Sequence, residues 1–175
     1  KTNDDIYVSG NLGDSYLGLL SLKKKIKLSS RQKKYFTNKY FMPQIQDKLV
    51  NYIKKFANTS IDISDGLLTD LDKMINSQKL FYKLELKKIP ISSNLKIMID
   101  QKKLSKINYI SKGDDYQVLF TASKAHRRII KKVSSTYRIK LTKIGSIHSG
   151  GKKSSIIDEN NMQITLKNKG HLHYF

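Results

Sequence analysis

Six of the fourteen acidic residues in this 175-residue chain, whose formal charge is +20, fall in two short places. One holds Asp62, Asp65, Asp70 and Asp72, and the other is the adjacent pair Asp114-Asp115. Clustered acid in so basic a chain calls for a reason. In Ser60-Ile61-Asp62-Ile63-Ser64 the isoleucines share one face of a strand, while Asp62 and Ser64 share the other. Asp65-Gly66 then turns the chain into a helix with Leu67, Leu71, Met74 and Ile75 inward. Ligands of open α/β sheets bind at the carboxyl ends of strands, where a helix N-terminus offers free N–H groups to phosphate. Carboxylates beside phosphate repel it unless a hard cation lies between, so Asp62 and Asp65 in such a place suggest Mg²⁺. The same spacing also fits an N-cap at Asp65, worth about 1 kcal/mol, and a solvated strand residue at Asp62. Asp70 and Asp72 read as surface charges.

Gly113-Asp114-Asp115-Tyr116 carries a similar pair of readings. The two carboxylates before a strand suit a metal or a polar substrate, and Gly-Asp is equally a turn signal. Gly10-Asn11-Leu12-Gly13 resembles a phosphate-cradling turn loosely, without the Lys-Ser/Thr of a P-loop or the third glycine of a dinucleotide fingerprint. A plain strand-to-helix turn capped by Asp14 is the simpler account. His171 and His173 stand two apart near the end with no third ligand in view, and the histidines have no nucleophile-elbow context. The basic helix Lys124 to Lys132 suits phosphate backbones or a solvated face.

The elements that position these residues follow from periodicity. Ile6-Tyr7-Val8 reads as a strand, followed by a helix carrying Leu17 and Leu20, with a helix or irregular connection at 29–41. Ile45, Leu49, Ile53, Phe56 and Ala57 fall on one face at helical spacing and predict a helix after Pro43. Strands are expected at 60–64, 81–86, 117–121, 139–147, 154–157 and 162–166, with helices at 67–75, 95–105 and 123–135. Strands and helices alternate but the tail is strand-rich. The expected fold is therefore α+β, a mixed sheet covered by helices.

Composition bounds the rest. The length suits one domain with a real core. No apolar run approaches the roughly 18–20 residues of a membrane span, and the polar start is not a signal peptide. The absence of cysteine removes disulfides and thiolate metal sites and fits a cytoplasmic setting. The charge points first to nucleic acid, yet arginine occurs only at 31, 127, 128 and 138, and the rest of the 34 basic residues are lysine. Lysine is a hydrated point charge rather than a bidentate reader, and such an excess equally fits surface charge that selects no partner, so a basic nucleic-acid-binding protein stays open as the lesser alternative.

Taken in order, IYVSGNLGDSYLGL, SIDISDGLLTDL, SKGDDYQVLFT, KIGSI and the terminal GHLHYF resemble thiamine-monophosphate kinase. More widely they are similar to the C-terminal domain of the aminoimidazole ribonucleotide synthetase superfamily. The resemblance implies phosphoryl transfer from ATP to thiamine monophosphate with Mg²⁺, giving thiamine diphosphate. By motif position, Asp62 would bind Mg²⁺, Ser64 would contact ATP, Asp65 would bind a further Mg²⁺, and Asp114 would touch the thiamine substrate. His171 stands where an aromatic residue would stack on thiamine. The chain begins at Lys1, at the family's second domain, so residues 1–175 are expected to lack an N-terminal domain that supplies most of the ATP site and the usual dimer interface. Such a half, clipped or separately encoded from its partner, is expected to be inactive alone and a doubtful homodimer. The alternative is a non-catalytic remnant or anion-binding module of the same fold. Three departures accompany His171: Tyr40 to Ile45 lacks the family's arginine, Lys112 replaces a glycine, and Gln117 replaces a glutamate.

Overall fold

A computed structural model of the chain describes residues 1–75, 78–150, 153–158, 160 and 162–164. The strands are β1 (Asp5–Ser9), β2 (Ala57–Asp62), β3 (Leu80–Glu85), β4 (Val118–Ala122), β5 (Leu141–Ser149) and β6 (Ser155–Ile157). The helices are α1 (Asp14–Leu22), α2 (Ser30–Phe41), α3 (Asp47–Ile53), α4 (Leu67–Met74), α5 (Ser93–Lys102), α6 (Lys106–Ile110) and α7 (Arg127–Tyr137). The strands form one six-stranded sheet in the order β2-β4-β1-β5-β3-β6. Every pairing is antiparallel except β3 with β6, which is parallel. The expected mixed sheet under helices is present.

Alternation along the strands builds a core on each face. Ile6 and Val8 of β1 join Leu119, Ile144 and Leu84 on one face, under Leu67, Leu68 and Leu71 of α4 and Ile107 and Ile110 of α6. Tyr7 points the other way and stacks on Phe120, its cross-strand partner, with ring centroids 5.2 Å apart. That second face is closed by Leu49 of α3, Phe56, and Ile130 and Val133 of α7. A third cluster, Leu17, Phe36, Leu95, Met98 and Tyr109, ties α1, α2, α5 and α6 together.

The segment after Pro43 differs from its expected form. The helix covers only Asp47–Ile53, Ala57 already belongs to β2, and Ile45 is 62% exposed. Leu49 and Phe56 are buried, but Phe56 reaches the core from the turn that closes α3. Apolar residues of three successive structures thus imitate one helical period. Residues 29–41 resolve in favour of a helix. Ser29 accepts from the Gln32 N–H while the Gln32 side chain accepts from Ser29 N, a capping box. Of the strand expected at 162–166, an isolated bridge joins Gln163 to Ile157, and 165 and 166 lie outside the described residues.

The basic helix is partly spoken for internally. Asp5 on β1 has a fully buried side chain, and Arg127 of α7 grips it through Nε at 2.5 Å and Nη2 at 2.9 Å. Lys143 adds a contact at 2.9 Å. Burial raises the Asp5 carboxyl, but the two cations outweigh it and hold the group below the usual carboxylate range. Arg127, though its side chain is 48% exposed, is therefore committed to neutralising a buried acid.

Candidate functional site

One end of the sheet gathers the sequence-predicted residues. The register pairs Asp62 with Val118, Val8 with Leu119, and Ser9 with Leu141. The carboxyl ends of β1, β2 and β3 and the amino ends of β4 and β5 therefore share one crest. Along it lie, in strand order, Asp62, the Asp114–Gln117 loop, the Gly10–Asp14 turn, Lys140 and Leu86.

The two acidic motifs meet there through their backbones. Asp114 N donates to Ser64 O at 3.0 Å, Tyr116 N to Ile63 O at 2.9 Å, and Ile63 N to Gln117 O at 2.8 Å. A Cβ on Gly113 would stand 1.7 Å from Ser64 O, and one on Gly66, whose φ is +114°, 2.3 Å from Ser111 O. Both glycines are required by this approach of chain to chain. Asp114 and Tyr116 adopt φ of +67° and +49°, a region that side-chain-bearing residues enter at a cost of order 1 kcal/mol or more each. The contact between the loops holds that strain in place.

Each acid then has a distinct environment. Asp62 is exposed at the end of β2, and Ser64, Asp65 and Asp114 are half-buried. Asp65 does not cap α4: Gly66 is the N-cap and makes no side-chain bond. Asp70, expected as a surface charge, is instead fully buried, and its Oδ2 accepts from Asp65 N at 2.9 Å and Gly66 N at 3.1 Å. A carboxylate in the first turn, reaching back to the preceding amides, fixes the loop that presents Asp62 to Asp65. Lys73, one turn further, bonds Asp65 Oδ2 and, at 3.0 Å, Asp70 Oδ1, and those bonds hold its ammonium above the usual range.

Asp115 is the second group whose role lay beyond its sequence. It is buried, and its Oδ2 accepts from Gly13 N at 2.8 Å at the start of α1. The helix N-terminus that a phosphate would use in the cradle reading is thus met by a carboxyl of the chain itself. Asp14 makes no capping bond and instead accepts from Ser92 Oγ at 2.6 Å and Tyr35 Oη at 3.0 Å. Burial pushes the Asp115 carboxyl up to about 8, against the pull of the Gly13 and Ser15 amides and with the help of neighbouring Asp14 and Asp114. Gln117 is also buried and satisfied: Oε1 accepts from Ser9 Oγ at 2.8 Å and Gln46 Nε2 at 3.1 Å, and Nε2 donates to Gln44 O at 3.0 Å. A glutamate there would lose the donor to Gln44, so the Gln117 departure is matched by its surroundings. These groups line a polar cavity of about 200 Å³ with Lys39, Arg138 and Lys140.

The donor set can be tested against Mg²⁺. Among the described residues no group of three or more His, Cys, Asp or Glu side chains is placed to hold a metal. Asp62 and Asp65 are hard oxygen donors three residues apart, and Mg²⁺ commonly takes one or two carboxylates and completes its shell with water and substrate phosphates. That donor type suits a shared ion rather than an all-protein cage, with Lys73 Nζ holding Asp65 Oδ2 in the present arrangement. His171 and the terminal Gly170–Phe175 lie outside the described residues.

The mixed sheet and the paired aspartate loops at its crest place the chain in a class of α+β domains like the C-terminal domain of the aminoimidazole ribonucleotide synthetase superfamily. No known sequence-family profile matches it. A thiamine-monophosphate kinase from Buchnera aphidicola is 34% identical over 178 aligned positions, which cover 98% of this chain and 53% of that protein. The crystal structure of thiamine-monophosphate kinase from Stenotrophomonas maltophilia superposes with a TM-score of 0.78 at 25% identity, over 89% of this chain and 50% of that one. A structure of AaThiL complexed with AMPPCP and TMP gives 0.78 at 26% identity, over 98% and 52%. Over nearly its whole length the chain is similar to thiamine-monophosphate kinases, and it spans about half the length of the curated relatives it matches.

Proposed function

We propose that the chain is the C-terminal half of a kinase that transfers the γ-phosphoryl group of ATP to thiamine monophosphate, giving thiamine diphosphate. The observation that carries this reading is the backbone contact between the Ser64–Gly66 and Gly113–Tyr116 loops, which sets Asp62, Ser64, Asp65 and Asp114 on one crest. A related structure with AMPPCP, whose methylene bridge replaces the β–γ oxygen of ATP, and TMP supports the nucleotide and the acceptor. Asp62 and Asp65 would hold Mg²⁺, which neutralises charge shared between the anionic donor and acceptor. Ser64 would hydrogen-bond the nucleotide, Asp114 would orient the thiamine phosphate, and His171 would pack beside the thiamine ring. Catalysis would rest on positioning, with Asp70 and Lys73 fixing the loop below the metal ligands.

The remainder of the site would come from the other half of the full-length protein, as the half-length match to relatives suggests. On this reading the 175 residues alone turn over little or no substrate. The test is thiamine diphosphate formation by this chain joined to the complementary half of a relative, with Mg²⁺ and ATP varied separately. A correctly folded fusion that forms none would leave the chain a non-catalytic member of the family.

A further inference from the structure

Beyond the polar cavity, the same crest carries a second concavity, lined by none of Asp62, Ser64, Asp65 and Asp114. A groove of about 620 Å³ runs between the ends of β3 and β5 and the flank of α5. That volume lies within the roughly 300–1,000 Å³ of small-ligand sites. Its floor is apolar, formed by Leu86, Ile89, Pro90, Ile91 and Ile99, with Ile89 and Pro90 buried. Five lysines line it, Lys87, Lys88, Lys96, Lys106 and Lys140, against two carboxylates, Asp100 and Asp158. Three of the lysines are held: Lys106 Nζ donates to Leu86 O at 2.7 Å, Lys140 Nζ to Asn11 Oδ1 at 2.7 Å, and Lys88 Nζ pairs with Glu85 Oε1 at 2.6 Å.

Its position separates it from the aspartate loops. In the order β2-β4-β1-β5-β3, the groove's strands stand three and four steps from β2 and two and three from β4, which the Asp114 loop enters, and Lys140 forms the wall between the groove and the polar cavity. At about 4.8 Å per step the groove lies roughly 14–19 Å from Asp62 and roughly 10–14 Å from the Asp114 loop, beyond the near-contact that transfer of a phosphoryl group needs. An apolar floor ringed by ammonium groups complements one kind of molecule: a small phosphate monoester carried on a flat or apolar body. We propose that the groove binds such a ligand, separately from any donor and acceptor held at Asp62, Asp65 and Asp114. The lysines would meet the phosphate while the body covers Ile89, Pro90 and Ile99.

Occupancy would be felt at the crest. Pro90 O accepts from Leu12 N at 3.0 Å, and Lys140 O accepts from Gly10 N at 2.8 Å, so both walls of the groove are bonded to the Gly10–Asp14 turn. That turn is the one Asp115 holds from the other side.

The proposal is independent of the kinase reading and is tested by fluorescence titration of the chain with mant-labelled adenosine monophosphate. Saturable binding should weaken at least tenfold in Lys87→Glu/Lys96→Glu, and should be displaced by unlabelled adenosine monophosphate more readily than by inorganic phosphate. Lys131→Glu/Lys132→Glu, which makes the same charge change on α7, should leave it unaltered. Ile99→Asn, which removes apolar floor without touching charge, should weaken it separately. Equal loss in both charge-reversal pairs would reduce the effect to the general charge of the chain and overturn the proposal. Loss on Asp62→Asn would assign the binding to the aspartate loops and overturn it too, as would absence of saturable binding.

Discussion

Asp115→Asn tests the inner support of the site. In the folded chain the Asp115 carboxyl is buried and raised to about 8, whereas in the unfolded chain it titrates near the ordinary value of about 4. The folded state therefore keeps a proton that the unfolded state releases. Asp115's contribution to stability is fully present below about pH 4, falls as pH rises, and levels off above about pH 8. Within that window the slope is about 1.4 kcal/mol per pH unit, so from pH 5 to pH 7 the loss is about 2.7 kcal/mol. Asparagine is neutral in both states, and its carbonyl oxygen can still accept the Gly13 N–H. Urea unfolding of both proteins at pH 5, 6 and 7 should show the variant gaining about 2.7 kcal/mol on the parent across the range. The comparison cancels Asp5 and the other acids common to both chains. Parallel curves, with a constant difference at all three pH values, would mean that Asp115 is ionised in the fold and would refute the reasoning.

Two further substitutions probe the packing. Gly113→Ala places a Cβ 1.7 Å from Ser64 O, where backbone rather than a flexible side chain must yield. It should cost more than about 2 kcal/mol and lower Tm by about 4 °C or more, read by thermal unfolding. Thr121 Oγ1 is, among the described residues, a buried side-chain oxygen with no hydrogen-bond partner. Thr121→Val removes that unmet group at equal shape, and should leave stability unchanged or raise it by up to about 1 kcal/mol in urea unfolding.

Much of this was legible because the sheet alternates cleanly. Ile6, Val8, Leu119 and Ile144 announce strands by period, and Leu67, Leu71 and Met74 announce α4. The two aspartate motifs stood out against a lysine-rich background, and their order resembled one family closely enough to name the fold. What escaped is what depends on chain returning to chain. Asp70 looked like a surface charge because its helical position says nothing of the amides of Asp65 and Gly66 behind it. A first-turn acid following a glycine N-cap, read as a reversed cap, was the available signal. Asp115 was visible only as half of a pair, since its partner Gly13 lies 102 residues away. The helix after Pro43 was overextended because Ile45, Leu49 and Phe56 happen to share its period while belonging to a loop, a helix and a turn. Helix α6 has only five residues, too few for a period to be seen.

The central claim is that the aspartate crest belongs to a thiamine-phosphate kinase, and its most direct measurement is thiamine diphosphate formation by this chain fused to the complementary half of the Buchnera relative. Activity dependent on both Mg²⁺ and ATP, reduced at least a hundredfold by Asp62→Asn while the fold is retained, is the predicted result. A folded fusion that is inactive, or one whose activity ignores Asp62→Asn, would contradict the account.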